Sequence, residues 1–190
     1  MLRKQNEENK VNADKYIKIQ EIEASTRELD DGKIFDYEKD FKRFALKSQP
    51  KFDSARYTIR NDDIENLLKA GRRIDTILTN ANKKNVLKLD LKYLIVIEGT
   101  SSKDHFPINN ELSYLRALSV FELWEKYNIP FVTTYLDKIR KGKSRELDIE
   151  IIIAGSGERG VGRSKDEIDN QKILIQLIPK ISNMEEKVKK

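Results

Sequence analysis

The chain has 190 residues, with 37 Lys and Arg against 32 Asp and Glu, giving a net charge of +5. Its length fits one domain with an appendage, and a hydrophobic share of 38% beside a charged share of 36% argues against a single core spanning every residue. The absence of cysteine excludes disulfides, thiolate metal sites and a cysteine nucleophile, the lone His105 argues against a zinc site, and no run nears the roughly 18 apolar residues of a membrane span.

Charge is unevenly placed. Residues 1–48 are balanced, so the basic excess lies downstream, partly in Lys180, Lys187, Lys189 and Lys190 after Pro179, which read as a frayed basic tail over 181–190. No stripe of Lys and Arg interleaved with aromatics occurs in an ordered-looking segment, and no nucleic-acid partner is expected. The start of the chain lacks the apolar core of a signal peptide, and as given it is expected to be soluble.

In chain order, residues 5 to about 30 contain no Gly or Pro and carry a thin apolar stripe, Ala13, Tyr16, Ile17, Gln20 and Ala24, at helical spacing. Such a helix has little to bury alone, so it is either a solvated connector or a stalk or pairing helix. Residues 35–47 read as a strand or a short amphipathic helix, with the strand favoured. Together these form an N-terminal linker and lead-in over 1–48, with the domain proper over 49–180.

From Phe52 the periodicity is plainer. Ala55, Tyr57 and Ile59 alternate with polar residues, as an exposed strand does. A helix follows from Asp62, whose carboxylate would cap the first turn with Glu65 completing the box; Ile64, Leu67, Leu68, Gly71, Ile74 and Leu78 form its buried stripe, and Asn80 and Asn82 end it. The apolar run from Leu91 to Ile97 predicts a central strand covered on both faces with a parallel neighbour. A second helix over 110–127 presents Leu112, Leu115, Ser119, Val120, Leu123 and Trp124 and stops at Pro130. Strands over 147–153 and 173–177 follow, the last closed by Pro179. The order β-α-β-α-β-β defines an α+β fold, a mixed sheet with both helices on one face and an N-terminal helix before it. Tyr57, Ile95, Ile97, Leu115, Val120, Ile151 and Ile175 are its predicted shared core.

Gly155-Ser156-Gly157-Glu158-Arg159-Gly160 matches the glycine spacing of a dinucleotide fingerprint, but Val161-Gly162-Arg163-Ser164 continues the loop where that fingerprint needs a helix N-terminus. It reads as a flexible turn between strands. There is no nucleophile with a base, no metal cluster and no pair of carboxylates placed to differ in acidity, so catalytic residues, metals and cofactors are all expected to be none.

The second helix and its lead-in carry a resemblance. Ile97-Glu98-Gly99-Thr100-Ser101-Ser102 followed by Asn109-Asn110-Glu111-Leu112-Ser113-Tyr114-Leu115-Arg116-Ala117-Leu118-Ser119-Val120 is similar to the OmpA-like peptidoglycan-binding family, which ends a strand in G-H-T-D and opens the next helix with N-x-x-L-S-x-x-R-A-x-S-V. Gly155-Ser156-Gly157-Glu158 resembles that family's G-x-G-E, and Asn170-Gln171-Lys172-Ile173 its N-R-R-V. The resemblance covers roughly residues 50–180. The Glu-rich first helix and Phe52-Asp53-Ser54-Ala55 look most like the MotB-type branch, in which a membrane helix and a linker helix precede the domain.

The resemblance implies a non-catalytic periplasmic protein that binds peptidoglycan and anchors a membrane or stator-like complex to the cell wall. It is tethered by a segment outside this chain, with a homodimer and a MotA-like membrane partner as further expectations. The alternative is a domain of this fold that has lost its ligand and serves as a pairing module. Arg116 would hold a stem-peptide carboxylate as a bidentate fork, helped by helix-start amides near Asn109 and Asn110; its blander reading is a solvated arginine or one paired with Glu98 or Glu158. Asn109 would be a ligand donor, a helix cap, or both, and Gly99 and the loop after it would border the cleft. Ser102 stands where the family has an Asp that meets the diaminopimelate amine, Thr100 stands for its histidine, and Gln171 and Lys172 stand for its late arginines. The amine is therefore expected to matter little, unless Asp104 substitutes through a two-residue displacement of the loop. His105 is a loop residue for which solvent exposure is the plainer role.

Overall fold

The structure, a computed structural model, describes residues 27–84, 91–104 and 107–181, with Gln5, Asn9, Ala13, Tyr16, Ile17, Gln20 and Ala24 before them. These seven are helical and exposed, in line with the predicted N-terminal stripe. The basic tail after Ile181 and His105 lie outside the described residues.

Five strands, β1 (Phe35–Glu38), β2 (Arg43–Leu46), β3 (Leu91–Thr100), β4 (Ile149–Gly157) and β5 (Ile173–Ile181), form one sheet in the order β1-β2-β5-β3-β4. β3 and β4 are parallel, and the remaining pairs are antiparallel. Helices α1 (Asn61–Lys84), α2 (Asn109–Lys126) and α3 (Pro130–Arg140) accompany the sheet. α1 and α2 share one face of the sheet. Leu67, Ile74, Ala117, Val120 and Trp124 join Tyr93, Ile95, Ile97, Ile173, Ile175 and Leu177 in a single buried cluster, with Ile149, Ile151 and Ile153 packed against it. This is the predicted mixed α+β arrangement.

Its first strand differs from the expected one. Residues 55–59 pair with nothing in the sheet, and Tyr57 is 47% exposed rather than in the core. Ala55 has a φ of 55°, which breaks the extended course that alternation requires, and the Arg56 N–H turns back to the Asp53 carbonyl at 3.0 Å. The place beside β5 is taken by β2, so residues 35–46, assigned by the sequence to the lead-in, are part of the domain's own sheet. Within the 35–47 segment the favoured strand is found, split into a hairpin around the left-handed Lys42.

Other boundaries also move. α1 starts at Asn61 and runs to Lys84, so Asp62 lies inside the helix rather than capping it, and the asparagines do not end it. β3 is central, but of residues 92–97 only Tyr93, Ile95 and Ile97 are buried; Leu94 and Val96 are half-buried on the sheet's second face, where Ile152 and Ile178 are exposed. Leu115 is likewise half-buried. Pro130 follows the short turn after α2 and opens α3, the position where a missing N–H costs nothing. Pro179 lies within β5 opposite Tyr93, whose own N–H goes to Asp148 on the β4 side at 2.7 Å. At that pair the β5 backbone turns away from β3, and β2 reaches only Leu174 and Ile175, so no ladder bond is lost.

Candidate functional site

The end of β3, the loop after it and the first turns of α2 meet at one corner of the sheet. α2 lies close there because two glycines sit beneath it. A Cβ on Gly99 would stand 2.0 Å from the Ser113 carbonyl oxygen, and one on Gly155 would stand 2.4 Å from the Tyr114 nitrogen. The G-x-G segment is thus a packing surface for the helix that carries the site, rather than a flexible turn. Ser113 fastens the contact, accepting from the Gly157 N–H at 2.9 Å and donating to the Asn110 carbonyl at 2.7 Å.

A cleft of about 180 Å³ opens at this corner, lined by Phe52, Ser54, Ala55, Ser102, Asp104, Asn109, Leu112, Arg116 and Gln171. Arg116, Asn109, Ser102 and Asp104 are therefore brought together. Gly99 does not line the cleft; it lies under α2.

Asn109 is the first residue of α2 and does not cap it; the cap position is Ile108, without a side-chain bond. The Asn109 amide instead faces the loop, donating to the Ser102 carbonyl at 3.2 Å and to Asp104 Oδ1 at 2.8 Å. Gln171 Nε2 donates to Ser102 Oγ at 3.2 Å, and Ser102 Oγ donates to Asp104 Oδ2 at 3.2 Å. Both oxygens of Asp104 thus accept from neutral side-chain donors, which orient the carboxylate. Asp104 and Ser102 both line the cleft, and the Ser102 hydroxyl bonds the Asp104 carboxylate.

Arg116 sits on the inward stripe of α2, four residues after Leu112 and four before Val120, and is 3% exposed. Its Nε donates to the Arg56 carbonyl at 3.2 Å, and its guanidinium carbon lies 4.9 Å from the centre of the Phe52 ring. Neither Glu98 nor Glu158 is its partner: Glu98 accepts from Ser156 Oγ, and one Glu158 carboxylate oxygen is buried without a hydrogen bond among the described residues. Burial pulls the Arg116 pKa below its ordinary value, and the negative charge of Asp104 opposes that shift.

The loop is buttressed from β5. Thr100 Oγ1 donates to the Asn170 carbonyl and accepts from the Lys172 N–H at 3.0 Å, tying the end of β3 to the start of β5. Asn170, 2% exposed, bonds Ser164 through both ends of its amide and reaches Glu167. Glu167 accepts the Lys103 N–H at 2.7 Å, the leading reason its carboxyl lies below the usual range. Arg163 closes the buttress on Ser101 and Glu167. The roles of Asn170, Glu167 and Arg163 depend on contacts across the sheet, and only Asn170 stood out in the sequence, through the N-Q-K-I segment. Phe52 was visible as a family mark with no assigned contact.

Among the described residues no group of His, Asp and Glu is placed to hold a metal ion. The cleft offers a fixed cation, a fixed anion and amide donors, a combination suited to binding a small zwitterionic group.

No protein-family model matches the chain, and no curated protein matches it. Among solved structures it is similar to the periplasmic domain of MotB, at 13% identity and a TM-score of 0.44, over 75% of this chain and 65% of that one, a little under two thirds of its length. It is similar to the OmpA-like domain of FopA1 from Francisella tularensis, at 16% identity and a TM-score of 0.41, over 78% of this chain and 82% of that one. It is also similar to the cell wall anchor of the T6SS from Pseudomonas aeruginosa, at 16% identity and a TM-score of 0.39, over 80% of this chain and 90% of that one.

Proposed function

We propose that this chain is a non-catalytic OmpA-like domain that binds peptidoglycan in the periplasm and anchors a membrane-tethered, stator-like complex to the cell wall. Arg116 takes a free stem-peptide carboxylate, and Asp104 takes the amine of diaminopimelate. The observation that carries this reading is the meeting of Arg116 and Asp104 in one cleft, within the segment whose motifs resemble that family. A guanidinium holds a carboxylate through two parallel charge-assisted bonds, and an oriented carboxylate offsets an ammonium as Ser102 alone does not. No helix among the described residues is long and apolar enough to cross a membrane, so the tether in this reading lies elsewhere.

Co-sedimentation of the chain with purified peptidoglycan sacculi tests it. Retention of the native chain with loss in Arg116→Ala is the expected result; equal retention of both, or of neither, overturns the reading.

A second reading has its own observation. Tyr16 and Ile17 are 63% and 54% exposed on the N-terminal helical stripe, an apolar surface suited to pairing with a second copy or with a MotA-like complex. Light scattering that stays monomeric at high concentration would remove the homodimer.

A further inference from the structure

Arg116 meets the cleft under an unusual constraint. The segment over 51–60 has no regular hydrogen-bonded structure, yet it crosses beside the cleft with both ends fixed: the Lys51 N–H donates to Asp63 Oδ2 at 2.9 Å, and Phe52 and Ile59 pack against the core. Its Phe52 ring covers the guanidinium at 4.9 Å, and its Arg56 carbonyl takes the Nε–H at 3.2 Å. Among the described residues no protein acceptor bonds either Nη group.

A guanidinium offers a carboxylate two bidentate edges, one formed by Nε with an Nη and one by the two Nη groups. Here the first edge is occupied. We propose that the 52–56 segment is a clamp that leaves Arg116 only its end-on edge for the ligand, with Phe52 as a positioning residue that fixes the plane of the fork. This rests on the peptidoglycan reading above for the identity of the carboxylate, but the clamp itself is a property of the unliganded chain. The consequence is selectivity: a terminal carboxylate approached along the axis of the guanidinium fits, whereas one that needs Nε does not.

Two measurements on the full chain test it. In the first, the Arg116 Nε–H resonance of the unliganded protein is followed by NMR. It is expected to be sharp and slowly exchanging in the native chain and in Phe52→Tyr, and broadened or fast-exchanging in Phe52→Ala and in Phe52→Leu, which keeps the apolar bulk without a ring face. In the second, a muramyl tripeptide ending in diaminopimelate is titrated by calorimetry. Phe52→Ala and Phe52→Leu should weaken binding about 5–10-fold, the range a partly desolvated cation–π contact supports, and Phe52→Tyr should restore it. In an Arg116→Lys background, which has no planar fork, Phe52→Ala should add nothing. Native-like binding and an unchanged Nε–H signal in folded Phe52→Leu overturn the clamp. Failure of the native chain to bind the tripeptide overturns the peptidoglycan reading instead, and the Nε–H comparison then decides the clamp alone.

Discussion

Trp124 Nε1 donates to the Leu67 carbonyl at 2.8 Å, a bond from the indole of α2 to the backbone of α1. Trp124 is fully buried, and the Phe131 ring of α3 meets it edge-on at 5.7 Å, so one side chain joins α1, α2 and α3. Trp124→Phe should lose the bond and part of the packing, lowering stability by about 1–3 kcal/mol, and Trp124→Ala by about 3–5 kcal/mol. Urea denaturation checks both, and a Trp124→Phe midpoint equal to the native one would show that the bond contributes nothing net.

The helices were legible because Leu67, Leu68, Gly71, Ile74 and Leu78 repeat at helical spacing and all are buried. α3 has the same spacing in Phe131, Val132, Leu136 and Ile139, but a proline after Asn128-Ile129 signals a helix stop as readily as a first helical residue, which is what Pro130 is. The alternation at Ala55, Tyr57 and Ile59 misled because a strand also needs an edge to pair with, and periodicity says nothing of what β2 already occupies. In the site, Arg116, Asn109 and Ser102 were visible through their motif. Asp104 was only an alternative, since the path of a loop is set by contacts such as Lys103 to Glu167, far apart in sequence.

The close seat of α2 gives a second prediction. Gly99→Ala places a methyl group against the Ser113 carbonyl, and neither partner is the mobile end of a side chain. The helix must lift from β3, at a cost near the upper end of overpacking penalties, about 3 kcal/mol. Because α2 carries Arg116, sacculus binding should fall with stability. A Gly99→Ala protein that melts like the native one would show that the helix moves freely.

Tyr93 supplies a pH dependence. Its hydroxyl is buried without a hydrogen-bond partner among the described residues, and burial pushes its pKa up from 10.0 to about 12. The folded state keeps the proton that the unfolded state releases, so the native chain should lose stability as pH rises from 10 towards 12. Tyr93→Phe removes that loss and, by deleting an unsatisfied buried hydroxyl, should gain about 1 kcal/mol at neutral pH. Thermal melts of both proteins across the alkaline range check the sign: a steeper decline in Tyr93→Phe than in the native chain would contradict it.

The arrangement around Asp104 separates the two ends of the proposed ligand. Its oxygens are held by Asn109 and by Ser102, with Gln171 behind Ser102, so the carboxylate is oriented; in the proposed complex it faces an amine while Arg116 meets a carboxylate. Asp104→Asn keeps the shape and removes the charge. It should weaken a stem peptide bearing the diaminopimelate amine by about 1.5–3 kcal/mol, the value of a hydrogen bond to a charged group, and leave a stem lacking that amine unchanged. Arg116→Ala should weaken both stems. Ser102→Ala, which loosens one oxygen of Asp104 and leaves its charge, should fall between native and Asp104→Asn for the amine-bearing stem alone. Calorimetric titration of the four proteins with the two stems gives the pattern. Equal losses for both stems in Asp104→Asn would mean that the carboxylate serves to hold the loop, and that the amine finds its counter-charge elsewhere.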